Sequence, residues 1–315
     1  YGSLDYSVNA TSTTFAKHGM AKDQNRMSVS GKFQIGNFDI GLTSFGSGAI
    51  QMDGQNATGV SVVPSADVKL NTQALMARYS FNDKYSIIGG VRRAKLKAST
   101  LNTVAPADYS IGAIDKSGMV YGLAYERPDI ALKFEVLRSE KITIGLTGDV
   151  IYSGSNLPVT GTLVIPEATS INFQTGIAEN TLLMASAHKV NWTGSDIGLN
   201  VSLAPPLNQA SDFSNTTSYS LGLGRRLNKA TSASLTYAWE KGTNPGGAST
   251  SPFTMSNGSQ TLAAGVKHKI GSITISGGIS YTKLGDVDVT HSTGLTANYA
   301  GNTVTAVGVK FGYNF

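Results

Sequence analysis

Apolar and polar residues alternate one for one in segment after segment of this chain, and the connections between those segments are short and long in turn. From Ile273 the series Ile273, Ile275, Gly277, Ile279 and Tyr281 interleaves with Thr274, Ser276, Gly278, Ser280 and Thr282. At the end of the chain Val307, Val309, Phe311, Tyr313 and Phe315 interleave with Ala306, Gly308, Lys310, Gly312 and Asn314. A period of two sends successive side chains to opposite faces of a β-strand, so each segment is oily on one face and small or polar on the other. The same pattern runs through Ala233 to Trp239, Tyr219 to Leu223, Met119 to Tyr125, Ile130 to Val136 and Leu75 to Phe81. Aromatic residues gather at the ends of these runs.

Fourteen strands follow: 11–18, 26–35, 38–46, 67–81, 85–98, 117–126, 130–144, 169–177, 181–192, 217–227, 231–241, 260–269, 272–284 and 302–315. Tight turns at Gly36-Asn37, Asn82 to Lys84, Arg127 to Asp129, Ala178 to Asn180, Asn228 to Ala230 and Ile270-Gly271 alternate with long polar or Pro/Gly-rich loops. That asymmetry is the signature of an all-β, transmembrane antiparallel β-barrel with short periplasmic turns and long extracellular loops, and it places both termini on the periplasmic side. The whole chain, 1–315, reads as one such outer-membrane domain, with 1–10 as a short periplasmic N-terminal segment. Fourteen strands tilted by about 40° close a cylinder roughly 28 Å across, wider than side chains alone can fill. Segment 181–192 is apolar on both faces at its start and assigns no outward face.

Composition agrees and excludes alternatives. Charged residues make up 14% of the chain, against about 25% in a soluble domain. No apolar run is long enough for a membrane-spanning helix. The net charge of +5 is dispersed and forms no basic block, so no nucleic-acid partner is expected. With no cysteine there is no thiolate ligand or disulfide. The four histidines stand far apart and no nucleophile motif or phosphate loop occurs, so the expectation is no metal, no cofactor and no enzyme. Asp286 and Asp288 in the last long loop read either as a divalent-cation pair or, the favoured reading, as solvated loop charge.

Charge in a membrane barrel is costly toward lipid and cheap toward a wet lumen. Counting by two from the apolar positions places Arg78, Arg92, Lys133, Arg226, Lys267 and Lys310 inside, either free to meet an anionic head group or paired with Glu126, Glu135 and Glu240. Gly46, Ser47 and Gly48 follow the third strand. They mark either a bend that opens the wall or an ordinary strand end.

Several stretches resemble the FadL-type transporters of long-chain fatty acids and aromatic hydrocarbons. Gly122-Leu123-Ala124-Tyr125-Glu126-Arg127-Pro128-Asp129-Ile130-Ala131-Leu132-Lys133, followed by Ser139 to Ile142, is similar to that family's strand, turn and strand. Thr169 to Leu183, with its Phe173-Gln174-Thr175-Gly176-Ile177-Ala178 core, and Asn191-Trp192 are similar to another strand pair of the family. The likeness runs over about residues 66 to 315. It implies fourteen strands, passive capture of a hydrophobic molecule by apolar extracellular loops, passage through the lumen, and lateral release beside a kinked third strand near Gly46 to Gly48. The family's N-terminal hatch, with its Asn-Pro-Ala start, has no counterpart in Tyr1 to Tyr6, so the loop 145–168 is the candidate for occluding the barrel.

The functional expectation is therefore passive transport of hydrophobic small molecules across the bacterial outer membrane. Apolar segments Ile142 to Leu146, Leu157 to Ile165 and Ile197 to Pro206 favour it. The alternatives are a general diffusion porin and a surface adhesin or phage receptor. Expected partners are the hydrophobic cargo, outer-membrane lipid and lipopolysaccharide, and the barrel-assembly machinery through Phe315, with the chain acting as a monomer.

Overall fold

The computed structural model describes every residue except 61–62, 97–98, 103–106, 114, 153, 196, 202–212, 251–252 and 292–293. Fourteen strands form one antiparallel wall: β1 (Gly2–Ser7), β2 (Gln24–Arg26 and Ser28–Ile35), β3 (Phe38–Asp53), β4 (Ser65–Ser80), β5 (Tyr85–Leu96), β6 (Lys116–Arg127) and β7 (Leu132–Ser139), then β8 (Glu167–Ala178), β9 (Thr181–Asn191), β10 (Thr216–Arg226), β11 (Thr231–Glu240), β12 (Ser259–Ile270), β13 (Ile273–Leu284) and β14 (Thr303–Tyr313). Each pairs with its sequence neighbour, and β14 pairs with β1 from Gly2↔Gly308 to Ser7↔Thr303, which closes the cylinder. β1 in turn pairs with the first stretch of β2, Gly2↔Arg26 to Leu4↔Gln24. Among the described residues Ser28–Ile35 pairs with β3 alone.

Thirteen of the fourteen expected strands coincide with wall strands. The exception is the first, where Gly2–Ser7 enters the wall instead of 11–18. The expected periplasmic lead 1–10 thus contributes a strand whose alternating Leu4 and Tyr6 are shorter than the apolar runs elsewhere. The segment read as 130–144 is broken after Ser139, and Ile142 begins a strand outside the wall.

Local chemistry explains the short-turn rim. Gly36 and Gly271 take φ values of +57° and +58° in two-residue hairpins, a conformation that carries no penalty without a Cβ. Asn82 and Asn228 each accept two backbone N–H bonds from the residues two and three further on, at 2.8–2.9 Å. These turns satisfy their own backbone and need no long loop.

Register assigns the faces. Ile275, Gly277 and Ile279 lie opposite Phe311, Val309 and Val307 on the outside, and Leu235 and Tyr237 opposite Leu223 and Leu221. Leu221, Leu235 and Ile279 are 50%, 54% and 54% exposed. A continuous apolar exterior of this kind far exceeds the few hundred Å² that a soluble surface carries, so it is built to meet lipid. Aromatic residues ring both edges: Phe38, Tyr79, Phe81, Tyr85 and Tyr125 toward the turn rim, and Tyr219, Tyr237, Trp239 and Tyr281 toward the loop rim. In β9, Leu182 and Met184 share the inward face with Gly222 and Gly224 of β10. A Cβ at Gly222 would meet the Met184 methyl at 3.4 Å. The missing side chains of β10 leave room for the apolar inward ones of β9, which resolves the ambiguity of 181–192.

The buried apolar core sits at the loop rim. Ser99–Asn102, Ala107–Ala113, Ile142–Tyr152, Ser155–Ile165 and Ile197–Val201 form a further antiparallel ladder, joined to β4 through Ser65 to Asp67. Thus 145–168 is mostly a regular hairpin and not an irregular loop. Ile144, Val150, Val159 and Leu199 of this ladder join Val8, Met20, Val63, Phe253, Val289 and Tyr299 in one cluster with the inward tops of β3 to β5, Met52, Val68 and Leu96. Asp286 and Asp288 are spent locally, accepting from the Gly301 N–H and the Asn298 amide.

Candidate functional site: an interrupted wall and a charged lumen

β3 is where the wall departs from regularity. Its pairing with β4 runs from Phe38↔Tyr79 to Gly46↔Asn71 and resumes at Gly48↔Leu70, leaving Ser47 as an extra residue. Ser47 Oγ accepts a 2.8 Å hydrogen bond from Thr72 Oγ1, which holds the bulge in place. On the other edge, pairing with β2 ends at Ser28↔Phe45. It resumes only at the rim, where Lys22 N–H donates to the Gln51 carbonyl at 3.4 Å, Ala21 bridges Met52, and Asp53 N–H donates to the Met20 carbonyl at 2.9 Å. Among the described residues no backbone bond joins 23–27 to 46–50. Gln24–Arg26 is drawn instead to β1.

The result is a window in the wall, closed above by the Lys22–Asp53 ion pair at 3.2 Å and below by the β2–β3 hairpin. Bare strand edges are not tolerated against hydrocarbon, so a break of this kind belongs beside an aqueous or cargo-filled interior. Gly46, Ser47 and Gly48 lie at a bulge inside β3, which continues to Asp53. Phe45, on the inward face, and Met27, strongly exposed, flank the opening. Sequence reading missed both, and missed Thr72.

Four of the expected inner charges form a network. Arg78 Nη2 lies 3.0 Å from Glu126, and Lys133 bridges Glu126 at 3.8 Å and Glu135 at 3.3 Å. Arg92, half-buried, donates to the carbonyls of Glu140 at 2.6 Å and Pro166 at 3.3 Å, pinning the start of the outer ladder and the start of β8 to the wall. Removing the shared acid by Glu126→Ala takes away the acid paired with Arg78 and leaves Lys133 on Glu135, and we expect a loss of about 1–3 kcal/mol of barrel stability, read as a lower temperature at which the folded band is lost in unboiled gels.

The other three cations behave differently. Arg226, Lys267 and Lys310 fall in a single row of the ladder, Arg226↔Ser232↔Lys267↔Ser276↔Lys310, all on the inward face and all exposed. No carboxylate among the described residues pairs with them. Glu240 stands at the opposite end of β11, far along the wall. The next inward row toward the loop rim is Gly224, Ser234, Gly265, Gly278 and Gly308, so on that side no side chain of β10 to β14 larger than serine stands beside these charges. No cluster of acids and histidines suited to a metal ion occurs among the described residues.

The apolar loop segments are less open than their sequence suggests. Ile142, Ile144, Leu146, Val159, Leu163 and Leu199 are buried inside the outer ladder's core, and 202–206 lies outside the described residues. Ile151 and Tyr152, at the hairpin's tip, remain exposed.

No family model matches the chain, and no curated protein matches it in sequence. Solved structures do resemble it. A FadL homologue of Pseudomonas aeruginosa superposes with a TM-score of 0.81 at 13% identity, covering 100% of this chain and 89% of that one. The Pseudomonas putida toluene transporter TodX gives 0.67 at 14%, covering 100% and 88%. The Ralstonia pickettii toluene transporter TbuX gives 0.68 at 13%, covering 100% and 89%. The fold is that of FadL-type barrels.

Proposed function

We propose that this chain is an outer-membrane channel for passive passage of a hydrophobic small molecule, entering at the loop rim on the extracellular side and leaving sideways between β2 and β3. The observation that carries the reading is the wall window, where the β3 bulge coincides with a lost ladder to β2. A sieve for water-soluble solutes has no use for a side exit, whereas an oily cargo gains by passing from lumen to bilayer without crossing water, at about 25 cal/mol per Å² of apolar surface kept dry. Ile151 and Tyr152 offer the first apolar contact. The fold shared with transporters whose names specify toluene adds support. The row Arg226, Lys267 and Lys310 would orient an anionic head group near the turn rim, taken here as periplasmic.

The same unpaired row is what a diffusion porin with anion preference would use. Reconstitution separates the two. The expected result is uptake of labelled long-chain fatty acid or aromatic hydrocarbon into protein-bearing vesicles with small, intermittent ion currents. Large steady currents without uptake would establish the porin instead.

A further inference from the structure

The outer wall of β7 to β10 carries a concavity of about 670 Å³ at the loop rim, which the transport route does not use. Three ladder rows build it, all with outward side chains. The top row is Glu167, Asn191 and Asn215; the middle row is Arg138, Thr169, Lys189 and Thr217; the lowest is Ile171, Ala187 and Tyr219. Its floor is low because Ala187 stands between two larger neighbours, Ile171 and Tyr219. The next outward row down repeats the arrangement, with Ala185 between Phe173 and Leu221. The hollow is therefore apolar toward the bilayer centre and polar toward the rim.

Its depth is marked by the aromatic belt. Tyr219 stacks on Trp239 at 5.5 Å, and such belts sit at the membrane–water boundary. Lys189 and Arg138 lie one outward row beyond Tyr219, about 7 Å further along the strands, at head-group level. Arg138 is engaged, with Glu167 at 2.7 Å and Thr169 at 3.0 Å. Glu167 also takes the Asn191 amide at 3.1 Å, so its charge is neutralised within the site. Lys189 is exposed and has no acidic partner among the described residues. One uncompensated cation, with hydroxyls of Thr169 and Thr217 beside it, thus crowns an apolar slot.

We propose that this hollow binds a lipid A-type glycolipid of the outer leaflet, its phosphate on Lys189 and an acyl chain along Ala187 and Ala185. This rests on the reading of the chain as an outer-membrane barrel. Charge complementarity selects the occupant: an exposed lysine for the phosphate, with the Thr217 hydroxyl and the amide N–H groups of Asn215, whose oxygen is held by Thr193, beside it for sugar hydroxyls, suits a phosphorylated saccharide, while a zwitterionic phospholipid would bring its own cation to the same place.

The test is native mass spectrometry of the detergent-solubilised full chain with lipid A or, in parallel, phosphatidylglycerol. Wild type should retain lipid A about tenfold better than phosphatidylglycerol, Lys189→Glu and Ala187→Trp should each lower that retention about tenfold, and Lys229→Glu in a turn at the far rim should not change it. Equal retention of the two lipids would overturn the proposal, as would wild-type retention by a folded Lys189→Glu protein. If Ala187→Trp fails to assemble, Lys189→Glu decides alone. Failure of the membrane reading would show itself separately, as protein that stays monodisperse without detergent.

Discussion

Deletion of Ser47 should abolish side exit while leaving the barrel assembled. Ser47 is the extra residue between Gly46↔Asn71 and Gly48↔Leu70. Without it β3 and β4 run in one unbroken register, and every other side chain of β3 keeps its face, because Phe45 and Gly48 both already point inward. The strand then loses the bulge that bends it between Phe45 and Gly48, and the gap between 46–50 and 23–27, where six residues now face six, is drawn shorter by one residue on the β3 side. Uptake of a hydrophobic probe should fall at least tenfold, which requires only about 1.4 kcal/mol added to the exit barrier. Heat-modifiable gel mobility should show a folded barrel. Undiminished uptake by that folded variant would sink lateral release at this place. Valine at Gly46 or Gly48 is a weaker test: nothing lies within 4 Å of a Cβ at Gly46, and Leu70 is at 3.6 Å from one at Gly48. Both positions accept a side chain without straightening the strand.

That contrast bears on how much of this molecule its sequence disclosed. The wall was legible because each strand must satisfy lipid on one face and water on the other, which writes a period of two into Ile273 to Tyr281 and Val307 to Tyr313. The turns were legible through Gly36, Gly271, Asn82 and Asn228. The bulge was not readable from period. Phe38, Ile40, Leu42, Ile50 and Met52 keep one unbroken even phase, yet the first three point outward and the last two inward, since Ser47 reverses the faces midway. Only the two glycines hinted at it. The N-terminal strand was missed because Gly2–Ser7 is held by ladder bonds to β14 and β2 and buries little of its own. The apolar loop segments were seen but misjudged: a run such as Ile142, Ile144 and Leu146 reads the same whether it awaits a ligand or packs into a second sheet. Among the charges, parity assigned all six cations to one face. It could not say that Arg78 and Lys133 are paired while Arg226, Lys267 and Lys310 have no acidic partner among the described residues, because pairing depends on which acid the neighbouring strand brings level.

The free row yields the second large effect. Replacing Arg226, Lys267 and Lys310 together by glutamate turns an uncompensated positive band into a negative one across five consecutive strands, β10 to β14. Exposed charges separated by a strand or two lie within or near the Debye length of about 8 Å at physiological salt, so the band acts on a passing ion collectively. A fatty acid presenting its carboxylate to the lumen should then be taken up about tenfold more slowly at low ionic strength, with part of the loss restored in high salt. A neutral aromatic hydrocarbon should pass at its original rate, since apolar burial carries it and no charge is read. In the planar bilayer, whatever residual current exists should change from anion to cation preference. Equal slowing of both cargoes would mean that the substitutions obstruct the lumen and that the row has no part in recognising a head group. Uptake of both cargoes unchanged would mean that neither passes along this side of the wall. The comparison therefore reports on the chemistry of the cargo as well as on the row: strong discrimination identifies a channel tuned to amphiphilic acids, and its absence one tuned to uncharged hydrocarbons.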